Sequence, residues 1–258
     1  EYRNMQIPAW PSFNENADSM PRIYEMLRRP EVSWEFFQET LRYYYACITH
    51  IDLQIGRLIQ YLKEQDLYEN TSILFSADHG DNQGCHGKLE NKSYSMYDDT
   101  TRIPLFLKPA IPDYHAYHQK ALVGTCDLYA TILSQAGFKP EPGQNFGDGR
   151  DLSGFIQNQE MPWRDEIVTE GMGALDVVVT QRMYRKGRYK YVFNGADMDQ
   201  LFDMEADPYE MNNLVMDQNF TDRLLKLKNQ FADWMEEHGD PIRSGFCKIN
   251  RIKEWSLT

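Results

Sequence analysis

The sequence predicts an α/β fold, a mixed sheet flanked by helices, followed by a small C-terminal α+β antiparallel subdomain. Three observations carry this. Apolar residues recur at spacings of three and four from Trp34 to Leu62, which describes one long amphipathic helix. The short apolar run Ile73-Leu74-Phe75-Ser76 follows it and ends abruptly in Ala77-Asp78-His79-Gly80, as a buried parallel strand does when it delivers polar groups to the rim of an α/β sheet. Beyond about residue 165 the pattern changes to short strands with tight turns, closed by a helix, the signature of an antiparallel α+β unit rather than of further βαβ.

Residues 1–32 carry Pro8, Pro11, Pro21 and Pro30 with little periodicity and read as an extended connecting segment at the surface. The long helix opens at Ser33 as N-cap and frays around Glu64-Gln65; its stripe of Trp34, Phe37, Leu41, Tyr44, Ile48, Ile51, Ile55, Leu58 and Leu62 is expected to cover a sheet. Strands are predicted over 72–76 and 103–108, with an intervening polar stretch, 77–102, long enough to suggest a functional loop. A short helix over 127–136, stopped by Gly137, should turn Leu128, Ile132 and Leu133 inward. The Gly- and Pro-containing residues 138–165 read as a loop or domain junction. Further strands are predicted over 166–170, 177–181, 188–193 and 200–203, with Lys186-Gly187 and Asn194-Gly195 as hairpin turns. Phe220, Leu224, Leu227, Phe231 and Trp234 mark a last helix, ended by Gly239-Asp240-Pro241. The expected organisation is a connecting segment over 1–32, an α/β core over 33–160 and the subdomain over 161–258.

Composition narrows the function classes. A net charge of −12 argues against nucleic acid or an anionic membrane surface as the main partner, and no apolar run approaches the ~20 residues that span a bilayer. The four cysteines, Cys47, Cys85, Cys126 and Cys247, are too scattered for a disulfide scaffold or a C-x-x-C zinc site and are expected to be free. The first residue is Glu1, not Met, so the chain is expected to begin mid-protein; nothing in it fixes a compartment.

The chemistry-bearing stretch runs from Asp78-His79-Gly80 through Cys85-His86-Gly87 and Asn91-Lys92 to Tyr97-Asp98-Asp99-Thr100-Thr101-Arg102-Ile103-Pro104. A carboxylate at a strand end is a hard oxygen ligand for a divalent cation, and Lys92 places a point charge fourteen positions on. Read as D-H-G, G-x-H-G, a Lys, Y-[DE]-[DE] and R-[IV]-P, the stretch closely resembles the second half of the sulfatase family, within the alkaline-phosphatase-like superfamily. Upstream, Tyr44-Tyr45-Ala46 to Ile51-Asp52 and Gly56-Arg57 resembles that family's helix; Asp148-Gly149-Arg150-Asp151-Leu152 resembles its D-G-x-S-L segment. Downstream, Tyr189-Lys190-Tyr191 and Leu201-Phe202-Asp203 to Asn213-Leu214 resemble its ending.

The resemblance implies the C-terminal part of a sulfatase-like core and a divalent metal, calcium in this family, held by Asp78 and His79. On ligand preference alone an imidazole beside a carboxylate suits zinc or manganese. It implies that Lys92 contacts the sulfate, where an ammonium stabilises charge growing on the leaving oxygen; Lys88 is the alternative if the register is shifted. His86 reads either as a turn residue that packs or as a group reaching the pocket. Arg102 is expected to pair with Asp98 or Asp99. Arg182, Arg185, Lys186, Arg188 and Lys190 read as a solvated edge strand or as a cationic wall for an anionic substrate.

The family's nucleophile is a formylglycine made from the Cys or Ser of C/S-x-P-x-R. None of the four cysteines has Pro at +2 and Arg at +4; in Ser19-Met20-Pro21-Arg22 the arginine stands one place early. The chain is therefore expected to lack the nucleophile, to need the family's N-terminal half as partner, and to be inactive alone. The complete enzyme would hydrolyse a sulfated small molecule or glycan. Two other readings stand beside it: a phosphodiesterase or phosphonate monoester hydrolase of the same superfamily, and a non-catalytic binding module that kept the fold.

Overall fold

The structure, a computed structural model, describes residues 2–253 except 17, 19, 93, 139–146 and 174–179. In order they form α1 (Arg22–Leu27), α2 (Trp34–Glu64), β1 (Ile73–Ser76), the single turn α3 (Cys85–Lys88), the single turn α4 (Asp98–Thr101), β2 (Leu105–Lys108), α5 (Thr125–Gln135) and α6 (Ser153–Gln157). The strands β3 (Glu166–Met172), β4 (Thr180–Lys186), β5 (Tyr189–Phe193) and β6 (Gln200–Asp203) follow, then α7 (Thr221–Glu237) and α8 (Arg243–Asn250). The mixed α/β class is as expected.

The C-terminal sheet is the best-packed part of the molecule. Its order is β3-β4-β5-β6, all antiparallel, with Lys186 opposite Tyr189 across the predicted turn at Gly187, whose φ of 54° suits glycine. Period-two alternation sorts the side chains. Tyr184, Tyr191, Phe193 and Leu201 pack with Leu227, Phe231 and Met235 of α7 and Phe246 of α8. Met183, Val192 and Phe202 face the other way, against Met96 and Tyr97 of the motif segment and Tyr24 of α1. The sheet is thus a floor under the candidate site.

Three sequence expectations change. Strand β1 is not a buried parallel strand: it pairs antiparallel with β2, Ser76 opposite Leu105, and Phe75 and Phe106 are exposed. The cause is the intervening segment, which returns to the end it left, with Gly80 N–H donating to Thr100 O (2.8 Å) and Ser76 Oγ to Pro104 O (3.0 Å); a parallel neighbour requires a crossover instead. Helix α2 buries Phe37 and Leu41, but Tyr44, Ile48, Ile51 and Leu58 of its stripe are exposed, so among the described residues no sheet covers that face. In α5 the buried positions are Asp127, Ala130 and Thr131, whereas Ile132 is exposed. Asp127 turns inward because its carboxylate accepts from Gly124 N (2.8 Å), Arg150 N (2.7 Å) and Arg164.

The first 32 residues are more than a surface connection. They hold α1, whose first two N–H groups donate to Asp197 (3.0 Å each), and they bury Ile7, Phe13, Met20 and Tyr24. The predicted strand over 177–181 overlaps β4 only from Thr180; its first residues lie outside those described. Helix α8 has no counterpart in the sequence reading.

Candidate active site

The segment between β1 and β2 is built as two arcs clasped together. At the end of β1, Asp78 is largely exposed and accepts from the His79 N–H (2.9 Å). That N–H, the residue's own backbone N–H and the nearby charges of His79 and Lys92 hold its carboxyl below the usual range. His79 Nδ1 lies 2.7 Å from Gly80 O. A carbonyl only accepts, so in the neutral ring Nδ1 carries the proton, and Nε2 presents its lone pair 3.6 Å from Asp78 Oδ2. One oxygen and one nitrogen donor therefore lie 3.6 Å apart, a donor pair whose chemistry fits a cation. Among the described residues no cluster of three or more His, Cys, Asp or Glu side chains is placed to hold a metal ion, so the pair offers part of a ligand shell.

Gly80 explains the tripeptide's third member. A Cβ there would overlap the Asp99 carbonyl oxygen and lie 2.9 Å from its carbonyl carbon. Only glycine lets the first arc rest on the second.

The second arc, Tyr97 to Thr101, is clamped on two sides. On one, His86 is buried between Glu15 Oε2 (3.0 Å from Nδ1) and Asp99 Oδ2 (3.1 Å from Nε2), with its ring stacked 3.4 Å from that of Tyr97. Burial alone would lower its pKa; the hydrogen bonds and charges of Asp99 and Glu15 outweigh this and push it up to about 9. Of the two readings open for His86, the structure supports the packed one. On the other side Lys190 of β5 reaches Asp98 Oδ1 (2.9 Å), and Gln200 Nε2 donates to Tyr97 Oη (3.0 Å).

Lys92 is exposed, and its charge is felt at Asp78. Its backbone is held by Asn82, which is fully buried: Asn82 N and Nδ2 both donate to Asn91 O (2.9 and 2.6 Å), and Ser95 N donates to Lys92 O (2.9 Å). The structure sets His79 beside Asp78, and the Lys92 charge contributes to lowering the Asp78 pKa. Lys88, the other lysine in register, is tied down elsewhere, donating to Pro30 O (2.8 Å) and lying over the Phe13 ring.

Two expectations about cations are corrected. Arg102 makes no ion pair with Asp98 or Asp99 among the described residues, because Lys190 and Arg185 take Asp98 and His86 takes Asp99. The cationic hairpin is neither a solvated edge nor an open wall. It is the middle of the sheet, and each charge is matched: Arg182 with Asp240, Arg185 with Asp98, Lys186 with Asp165 and Glu166, Arg188 with Asp203, Lys190 with Asp98 and Glu210. Sequence reasoning missed Asn82, Glu15 and Glu210. Their signal, a polar residue buried by tertiary contact, is invisible to periodicity.

The sulfatase family model matches residues 8–138, and a model described as N-sulphoglucosamine sulphohydrolase, C-terminal, matches residues 84–237. The chain belongs to the sulfatase family. Among curated sulfatases, the uncharacterized sulfatase YidJ of Escherichia coli (strain K12) is 34% identical over 217 residues, covering 83% of this chain. The match takes in 40% of that sulfatase, so the chain spans less than half the length of this relative. Among solved structures, a protein in complex with its substrate D-glucosamine-2-N,6-O-disulfate aligns at TM-score 0.71 and 25% identity, over 80% of this chain and 42% of that one. A phosphonate monoester hydrolase from Silicibacter pomeroyi aligns at TM-score 0.76 and 22% identity, over 92% of this chain and 51% of that one, a likeness of fold. All four cysteines of this sulfatase chain are free, Cys85 and Cys247 buried. No described helix is long and apolar enough to cross a membrane.

Proposed function

We propose that this chain forms one wall of a sulfuric ester hydrolase site. The observation that carries the reading is the approach of His79 Nε2 to within 3.6 Å of Asp78 Oδ2 beyond the end of β1, in a chain of this family whose Lys92 charge acts on Asp78. Asp78 and His79 hold a divalent cation, calcium by family resemblance; when bound, such a cation neutralises charge on the sulfate oxygens. Lys92 contacts the sulfate and stabilises the negative charge that grows as the ester bond breaks. Gly80 and the Tyr97–Thr101 arc fix the direction of the Asp78–His79 pair.

The nucleophile, a formylglycine, stands on a part of the enzyme outside these 258 residues, and the chain alone is inactive. Two facts support this division: the chain covers 40% of its E. coli relative, and the exposed stripe of α2 with Phe75 and Phe106 offers an apolar face for the remainder to cover. The substrate class is a sulfated glycan, by likeness to the neighbour that binds a disulfated glucosamine. The phosphonate monoester hydrolase likeness supplies the competing activity. Rates of the complete enzyme on matched aryl sulfate and aryl phosphonate esters decide between them. A preference of about tenfold or more for sulfate is expected; a preference for phosphonate would overturn the reading.

A further inference from the structure

Lys190 has a place in the fold that stability alone does not explain. It is the second residue of β5, fully buried, on the same face as Val192 two residues on. An apolar residue would serve the sheet better there, since a buried ammonium must be fully paired. Its Nζ is 2.9 Å from Asp98 Oδ1 and 2.7 Å from Glu210 Oε1. The second is an ionic contact rather than a directed hydrogen bond, since Glu210 Oε1 has no aligned donor. Glu210 is itself buried, and its other oxygen accepts the Asp98 N–H at 2.6 Å. Arg185 Nη1 adds a contact at 3.7 Å to Asp98 Oδ2.

Lys190, Glu210 and Arg185 all contact Asp98, the first residue of α4. A four-residue turn has no helical stability of its own and takes its position from what holds it. Its backbone in turn is what Gly80 rests on, through Thr100 O and the Asp99 carbonyl. Gly80 O then receives His79 Nδ1. The path from the sheet to the ligand pair is continuous: Lys190 and Glu210, Asp98, the α4 backbone, Gly80, His79.

We infer that Lys190 and Glu210 are positioning residues: their buried ion cluster on the sheet fixes Asp98–Thr101 and, through Gly80, the orientation of Asp78 and His79. The inference rests on the reading of Asp78 and His79 as a ligand pair. It gives the C-terminal sheet a part in the site that contact with substrate or metal would not reveal.

The test is site-resolved amide hydrogen exchange on the complete protein, comparing wild type with Lys190→Met and Glu210→Gln. The Gln variant keeps an oxygen for the Asp98 N–H and loses only the charge, so it remains informative if the Met variant does not fold. In both, the Gly80 amide should exchange about tenfold faster or more, while amides of α7 such as Phe231 and Met235 keep wild-type rates. An unchanged Gly80 amide in Glu210→Gln, or one that accelerates only in step with α7, would overturn the inference. The readout does not use turnover, so a wild-type enzyme without sulfate-ester hydrolysis would overturn the proposed function and leave the positioning result standing.

Discussion

Replacing Gly80 by Ala tests the clasp between the two arcs of the site. The added Cβ overlaps the Asp99 carbonyl oxygen, so the arcs must separate, and the Gly80 N–H to Thr100 O bond of 2.8 Å is lost with them. Forcing a methyl into a filled space costs about 1–3 kcal/mol, and losing the hydrogen bond adds about 1 kcal/mol. Gly80 does not have a positive φ, so the substitution also gains ~0.4–1 kcal/mol by restricting the unfolded chain. The net loss is about 1–3.5 kcal/mol. Gly56 is the control: it lies in α2 with nothing within 4 Å of a built Cβ, and Gly56→Ala should stabilise by about 0.5–1 kcal/mol through helix propensity. Urea denaturation followed by tryptophan fluorescence and circular dichroism measures both. A Gly80→Ala variant within about 0.5 kcal/mol of wild type would refute the clasp.

Two further outcomes follow from buried charge. His86 titrates near 9 in the folded chain against 6.5 for the unperturbed group; a raised folded pKa stabilises fully below the unfolded value and loses that stabilisation as pH rises through the folded one. The difference corresponds to about 3 kcal/mol, so the urea midpoint should fall between pH 6 and pH 10, and His86→Gln should flatten that fall; identical profiles would contradict it. Arg182 is fully buried, with Nε 2.8 Å from Asp240 Oδ2 and Nη2 3.3 Å from Oδ1. Asp240→Asn should therefore cost about 3 kcal/mol in denaturant, and the double variant Arg182→Met with Asp240→Leu distinctly less; a single variant no costlier than the double would contradict the pairing.

Local signals were legible in the sequence where local physics decides the outcome. The bounds of α2, the hairpin turn at Gly187 and the face of α7 follow from spacing and turn chemistry, and the structure agrees. Strand direction was not legible, because Ile73 to Ser76 reads the same beside a parallel or an antiparallel neighbour; the returning path of residues 77–104 decides it. Of the candidate site, Asp78, His79 and Lys92 were named from spacing and resemblance. The buried polar groups around them were not: Asn82, Glu15 and Glu210 act across separations set only by folding, such as 112 residues between Asp98 and Glu210. The cationic hairpin misled for the same reason, since its acidic partners are scattered along the chain.

The proposed contact of Lys92 with a sulfate ester beside the Asp78–His79 pair is tested by kcat/KM of the complete enzyme carrying Lys92→Met on an aryl sulfate. Lys92 is exposed, with no buried role to lose, so the melting temperature should stay at the wild-type value. A loss of about 10²–10³-fold in kcat/KM is expected, the scale of removing a preorganised charge from a transition state. Wild-type turnover in that variant would contradict it.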